Sequence, residues 1–248
     1  MEAQVYREIQ RIEQNHWWYV ARRTIVFDFV LRRAKPLTRP RILDIGCGTG
    51  FNVAYLRNLG FTRVVGLDVA PEALDFCRSR QLTALVQADA TRAPFLDGTF
   101  DMILALDLIE HVEDDVTAIR GLARLLAPGG VLVIFTPAFE FLWGHQDEVS
   151  QHFRRYTAGE LRAKIEGAGL HVEKLTYANT FLMPLVWAGR LLHRRRGRSA
   201  PAGMTENSMH PKWSNGLLQL IFAAEQPLLR VLNLPFGVSL LTLASKPS

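Results

Sequence analysis

Apolar positions along the chain change period several times, and the changes mark out its elements. Over the first thirty-five residues they recur at helical spacing, through Val5, Ile9 and Ile12 and on through Trp17, Trp18, Val20, Ile25, Val26, Phe29 and Val30. That pattern predicts helix until Pro36 and Pro40 stop it. Short apolar runs then alternate with helical patterns: strands are expected at 41–45, 63–67, 85–87, 102–106 and 131–135, and helices at 51–58, 71–80 and 114–126. Pro71 suits the start of its helix, and Pro128-Gly129-Gly130 ends the last of them. Thr157 with Glu160 makes a capping box for a helix that Gly167 and Gly169 stop. Two further strands are expected at 170–178 and 237–244. Between them an insert carries apolar helices at 181–192 and 217–232 and a flexible-looking segment at 199–215. Strand–helix alternation of this kind predicts an α/β chain with a doubly wound, seven-stranded, mainly parallel sheet covered on both faces.

Composition narrows the class. The chain has 248 residues, 48% hydrophobic and 21% charged, enough to bury a full core, which excludes a disordered or disulfide-stapled chain. Cys47 and Cys77 form no Cys-x-x-Cys pair, which fits a reducing, cytoplasmic setting and argues against a cysteine-ligated metal. The opening residues lack the basic-then-apolar order of a secretory signal. Charge is unevenly placed: residues 184–248 hold 8 Lys and Arg against 2 Asp and Glu, a net +6, while residues 1–183 hold 21 against 22, a net −1.

The densest chemical signal is Leu43-Asp44-Ile45-Gly46-Cys47-Gly48-Thr49-Gly50 at the first strand-to-helix turn. Its glycines allow a tight turn and close approach of a ligand to the backbone. Phe51 stands where a dinucleotide fingerprint needs its third glycine, and no Gly-Lys-Ser/Thr follows, so neither that fingerprint nor a P-loop is present. The acid at the strand's end disfavours a pyrophosphate and favours a ligand with a positive group.

This segment resembles the first motif of the class I S-adenosylmethionine-dependent methyltransferases. Later elements continue the resemblance in order: Val64–Asp68, Gln87–Ala90, Phe100–Ile103 with Leu106–His111, and Leu125–Gly130. It covers about residues 40–178 and the last strand. The resemblance implies a Rossmann-like methyltransferase fold in one domain: an N-terminal helical lid (1–36), a cofactor-binding core (40–178), a helical insert (180–234) and a last strand (237–245). It implies S-adenosyl-L-methionine as cofactor, bound through Asp44, Gly46, Cys47, Gly48, Gly50, Asp68, Val69, Asp89, Ala90 and Asp107. Asp68 would meet the ribose hydroxyls and Asp89 the adenine amino group. The glycines could equally serve only a turn, and Asp68 or Asp89 could cap helices.

A methyltransferase must hold a nucleophile in line with the methyl group and, for a hydroxyl or ammonium acceptor, remove a proton. Candidates for that work are His111, after the fourth strand, and His145, His152 and Tyr156, after the fifth. Trp143, Arg154 and Arg155 are candidates for binding the acceptor, the arginines bidentately to an anion. Each has a plain alternative: a packed His, arginines paired with Asp147, Glu148 or Glu160, and a buried Tyr. His145 and His152 lack an evident third ligand, so no metal is expected. The N-terminal His16-Trp17-Trp18 segment resembles a feature of a bacterial subgroup acting on small or lipid-type molecules. It either folds over the cofactor as a lid, with Arg22 on the methionine carboxylate, or packs on the sheet.

The basic insert has three readings. Nucleic acid is disfavoured, because Leu106-Asp107-Leu108-Ile109 replaces the Asn/Asp-Pro-Pro-Tyr/Phe of amino-methylating DNA enzymes and no Pro-Cys pair occurs. A membrane surface would suit apolar helices beside Arg190 and the run His193-Arg194-Arg195-Arg196-Gly197-Arg198, placing the protein at the inner face of the membrane. A pocket cap or homodimer interface would suit the same helices. Two functions stay open: methyl transfer to a small-molecule or lipid-linked acceptor, on oxygen first, or a cofactor-binding partner or sensor with weak catalysis.

Overall fold

The computed structural model describes residues 3–195 and 211–248, so the basic run beyond Arg195 and most of the segment at 199–215 lie outside the described residues. The chain begins with α1 (Ala3–Ile12) and α2 (Trp17–Ala34). Strands and helices then alternate: β1 (Ile42–Ile45), α3 (Phe51–Asn58), β2 (Val64–Asp68), α4 (Pro71–Ser79), β3 (Leu85–Gln87), β4 (Phe100–Leu106), α5 (Asp115–Leu125) and β5 (Leu126–Pro137). A short α6 (His145–Val149), α7 (Ala158–Gly167) and β6 (His171–Ala178) follow. The insert supplies α8 (Met183–Arg195), α9 (Lys212–Ala223) and α10 (Gln226–Val231), and β7 (Ser239–Ser245) closes the sheet. The seven strands run in the order β3-β2-β1-β4-β5-β7-β6, all parallel except β7, which makes the seven-stranded, mainly parallel sheet that the sequence predicts.

Period-two alternation sorts each central strand between two cores. Met102, Leu104 and Leu106 of β4 join Val131, Val133 and Phe135 of β5 on the face covered by α2, α3, α4 and the insert. Ile103 and Ala105 join Leu132 and Ile134 on the face covered by α5 and α7. The strand order reverses between β1 and β4, so the loops after these two strands part and leave a crevice at their C-terminal ends.

Three boundaries differ from the pattern-based expectation, each for a tertiary reason. The N-terminal helix is two helices, because the chain turns at residues 13–16. The His16 ring accepts from the Trp18 N–H (3.3 Å), Trp17 N–H donates to Asn215 Oδ1 (2.9 Å), and Asn215 Nδ2 donates to the Asn15 carbonyl (2.8 Å). Strand β5 starts before Pro128, since Leu126 already pairs with Phe100 and the Gly129 N–H reaches the Lys246 carbonyl (3.0 Å). Gly129 needs the left-handed backbone there (φ 73°). The long helix expected at 217–232 breaks into α9 and α10 at Glu225.

Glu225 explains that break and anchors the insert. It is buried, and its Oε1 accepts from the Phe181 N–H (2.8 Å), with the Asn179 and Thr180 N–H groups also close, so one carboxyl caps the turn that leads into α8. Burial raises its pKa from the ordinary 4.5 to about 7. Replacing it with Ala leaves these N–H groups without an acceptor and should lower unfolding free energy by ~1–3 kcal/mol in urea titrations. The folded state holds this proton more tightly than the unfolded chain, so the carboxyl's contribution falls as pH rises from about 4.5 through 7. Wild type should therefore lose more stability between pH 5 and pH 8 than Glu225→Gln; equal losses would remove Glu225 as the titrating group.

Candidate functional site

A cavity of about 600 Å³ fills the crevice. Its floor is the row of loops after β1 (Gly46–Thr49), β2 (Asp68, Val69), β3 (Ala88–Ala90) and β4 (Leu106–Glu113). Its roof comes from α1 and α2, and its far wall from α6, the residues after it, and α8. Such a volume suits a cofactor-sized ligand with a second small group beside it.

At one end the glycine turn lies open. Gly46, Gly48 and Gly50 all have left-handed φ (70°, 52° and 77°). A Cβ on Gly50 would strike Cys77 Sγ and Leu82, whereas one on Gly48 meets nothing within 4 Å. Gly50 therefore serves packing, outside the lining, and Gly48 keeps a space clear. Asp68 accepts from the Gly48 N–H (2.9 Å) and the Ala70 N–H (3.0 Å), and burial pushes its pKa up. Tyr6 of α1 lies against it, its own pKa raised by burial and by the Asp68 charge. Asp89 lines the cavity while capping the next turn: its Oδ1 accepts from the Thr91 N–H and Oγ1 (both 2.7 Å), which hold its pKa low.

Asp44 sits just beneath the lining. Its Oδ2 is buried without a hydrogen-bond partner among the described residues, and burial raises its pKa to about 7. A buried carboxylate in that state attracts a cationic ligand. Asp107, at the end of β4, also has left-handed φ (54°) and forms an ion pair with Arg22 of α2. The Arg22 guanidinium lies 5.0 Å from the Trp18 ring centre. Trp17 and Trp18 both line the cavity and both pack inward, Trp17 edge-on to Phe222 and Trp18 edge-on to Phe135. The packing expected of these residues is present, and the same side chains roof the cavity.

The opposite end gathers His111, Asp147, Ser150, His152 and Arg155. Asp147 is fully buried. It takes two hydrogen bonds from Arg155 (2.8 and 2.9 Å), one from the Gly144 N–H (2.7 Å) and one from His152 Nδ1 (2.8 Å). These partners outweigh its burial and hold its pKa at about 2. The His111 and His152 rings meet edge to face at 4.5 Å, and burial holds the His111 pKa down to about 3, so this ring is neutral. Beside them lies Glu110, fully buried, with Oε2 accepting from Thr136 (3.0 Å). Burial, with Asp107 nearby, raises its pKa well above the ordinary 4.5.

Of the residues singled out in the sequence, the cavity brings together Arg22, Gly46, Cys47, Gly48, Asp68, Val69, Asp89, Ala90, Asp107, His111, His152 and Arg155. His145 is on the surface beside Glu148 (3.7 Å), and Trp143 is also outside the lining. Arg154 instead pairs with Asp115 (3.0 Å) and the Glu113 carbonyl (2.7 Å). Tyr156 is buried beneath the site, donating to Asp115 (2.7 Å) within a cluster that includes Lys164. Sequence reasoning missed Tyr6, Glu13, Glu110 and Asn179. Only Glu110 carried a signal, standing next to His111.

Comparison with known proteins finds methyltransferases. Residues 43–134 match a family profile described as a methyltransferase domain. A ubiquinone biosynthesis O-methyltransferase of Xanthomonas campestris pv. campestris (strain B100) is 33% identical over 136 residues, covering 49% of this chain. The matched part spans little more than half of that relative, 56%. Its counterpart in Xanthomonas axonopodis pv. citri (strain 306) is 29% identical over 189 residues, 65% of this chain and 78% of the relative. Among solved structures, a chain of the complex between the Haloferax volcanii Trm112 methyltransferase activator and its methyltransferase superposes with a TM-score of 0.65 at 21% identity, covering 99% of this chain and 96% of that one. The [4+2]-cyclase SpnF superposes at 0.59 and 21% identity, over 92% and 80%. These two likenesses establish the fold; the second shows that the fold also serves other chemistry.

Tyr156→Phe separates structure from chemistry at this site. Loss of the hydroxyl bond to buried Asp115 should cost about 1 kcal/mol of stability and leave ligand affinity at the cavity unchanged. Urea titration and ligand calorimetry on the same sample check both.

Proposed function

Because the chain belongs to the class I S-adenosylmethionine-dependent methyltransferases, we propose that it transfers a methyl group to a hydroxyl of a small, lipid-type acceptor. The observation that carries this reading is one continuous cavity with an open glycine turn and a buried, unpartnered Asp44 oxygen at one end and the His111–His152 pair at the other. The residues fit the cofactor. Gly48 leaves the backbone approachable, Asp68 stands at the next strand end for a pair of hydroxyls, and Asp44, Asp68 and Asp107 offset a positive centre. Arg22 is placed for the cofactor's carboxylate. When bound, S-adenosylmethionine supplies a methyl group already electrophilic on its sulfonium.

The protein's own work is then positioning and proton removal. Holding an acceptor in line is worth roughly 7–11 kcal/mol, and the His111–His152 end of the cavity is where the acceptor's proton leaves. The roof of α1 and α2 keeps water out. Support for oxygen as the attacked atom comes from the O-methyltransferase names of the Xanthomonas relatives.

A lipid-type acceptor is favoured by a further observation. Leu185, Trp187, Trp213, Leu220 and Val231 of the insert are half or more exposed, within the part of the chain that carries +6. No helix among the described residues is long and apolar enough to cross a membrane, so the insert would rest on an anionic surface. Co-sedimentation with vesicles containing an anionic phospholipid should be strong at low salt and weaken at high salt. No binding at either would remove the membrane reading and leave a soluble acceptor.

Titration with S-adenosylmethionine tests the core of the proposal. Gly48→Val puts a side chain into the open turn and should weaken binding by about 100-fold or more, about 2.7 kcal/mol. With the Asp44 pKa at about 7 and a cationic ligand favouring the ionised carboxylate, affinity should rise about 10-fold from pH 6 to pH 8. Asp44→Asn should flatten that rise. Unchanged affinity in Gly48→Val would sink the cofactor assignment, and a product heavier by one methyl group with hydroxylated acceptors would establish the reaction.

A further inference from the structure

We propose that Glu110, His111 and His152 form a binding site for a divalent transition-metal cation of the zinc class, at the acceptor end of the cavity. One ligating atom from each of the three lies within 4.8 Å of the other two, from the loop after β4 and the segment after α6. All three residues face the cavity. A cation held at ~2.0–2.2 Å from two imidazole nitrogens and a carboxylate oxygen needs only that these side chains close in on one another.

Two independent observations point to a ligand here. The first is Glu110 Oε1, buried in a fully buried residue with no hydrogen-bond partner among the described residues, although Oε2 is satisfied by Thr136. An acceptor left bare in the interior is costly, and a cation removes that cost. The second is the way the two rings are held. His152 Nδ1 is bonded to Asp147 (2.8 Å), and Asp147 is fixed in turn by Arg155, which leaves Nε2 for another partner. His111 lies against the backbone carbonyls of Ser150 and Gln151. A carboxylate or carbonyl behind each imidazole is the arrangement that orients histidine ligands on metals.

The donor set selects the ion. Two imidazoles favour zinc and its first-row neighbours, whereas magnesium and calcium prefer oxygen alone. Three protein ligands facing a cavity leave a position open, as in catalytic rather than structural sites. This deepens, and rests on, the hydroxyl-methylation reading. A hydroxyl at the open position would lose its proton to water more readily. Its oxygen lone pair then forms the new O–C bond as the C–S bond breaks, with that electron pair staying on sulfur. The expectation that no metal binds rested on pairing His152 with His145; folding pairs it with His111 and Glu110 instead.

The test uses full-length protein treated with chelator, dialysed, and titrated calorimetrically with Zn²⁺, with S-adenosylmethionine titrated in parallel. We expect one Zn²⁺ per chain with a Kd of about 10 μM or tighter. Affinity should fall at least 10-fold in His111→Ala and in His152→Ala and stay unchanged in His145→Ala. Co²⁺ should give a visible absorption band in wild type that both cavity variants lose, a readout that does not depend on turnover. Wild type that binds S-adenosylmethionine but shows neither Zn²⁺ uptake below about 1 mM nor a Co²⁺ band would overturn the site. Uptake equal in wild type and both folded cavity variants would do the same. Zn²⁺ uptake without S-adenosylmethionine binding would support the metal site and count against the methyltransferase reading instead.

Discussion

The ion pair between Arg22 and Asp107 is the contact on which the site depends. Asp107 ends β4 in a backbone conformation that a non-glycine residue rarely holds, at the point where strand order reverses. Arg22 comes from α2, a helix outside the alternating β/α pattern. Their pairing draws the N-terminal helices across a crevice that every open α/β sheet presents to water. Charges this enclosed are expensive singly, and the pair persists because each offsets the other's desolvation. Around it, Glu13, in the turn after α1, takes the Thr49 hydroxyl (2.6 Å) and an ion pair with Arg80, tying the roof to the glycine turn itself.

The cavity under that roof is polarised. One end is rich in carboxylates whose pKa values burial raises, at Asp44 and Asp68, an environment ready for positive charge. The other end is organised by Asp147, whose four donors hold it ionised and thereby fix His152 and Arg155. Two neighbouring carboxylates thus have opposite tasks because of their partners: Asp147 is saturated and structural, and Glu110 is half-satisfied and available. The insert contributes to both ends, through Asn215 under α2 and Val186 and Arg190 of α8 in the wall.

Much of this was legible in the sequence because it depends on local rules. Period-two and period-3.6 patterns specify the sheet and its covering helices, and the glycine turn with an acid at successive strand ends marks the crevice that holds the cavity. What escaped were contacts between residues far apart in the chain. Tyr156 and Arg154 stand beside His152 in sequence yet turn to Asp115, because the chain enters α7 there and the side chains alternate away from the cavity. Glu110 stands in the segment after the fourth strand with only its neighbour His111 to mark it, and folding buries it with Oε2 on Thr136. The break between α1 and α2 is capped locally by His16 and also held by Asn215, about 200 residues away, a contact that no pattern within the N-terminal segment announces.

The most direct measurement of the account is a crystal structure of the protein with S-adenosylhomocysteine. The account predicts the nucleoside against Asp68 and Asp89, the amino-acid portion between Gly48 and Arg22, and the sulfur facing His111 and His152 across the remaining space. Binding outside the crevice, or a sulfur turned away from the two histidines, would contradict it.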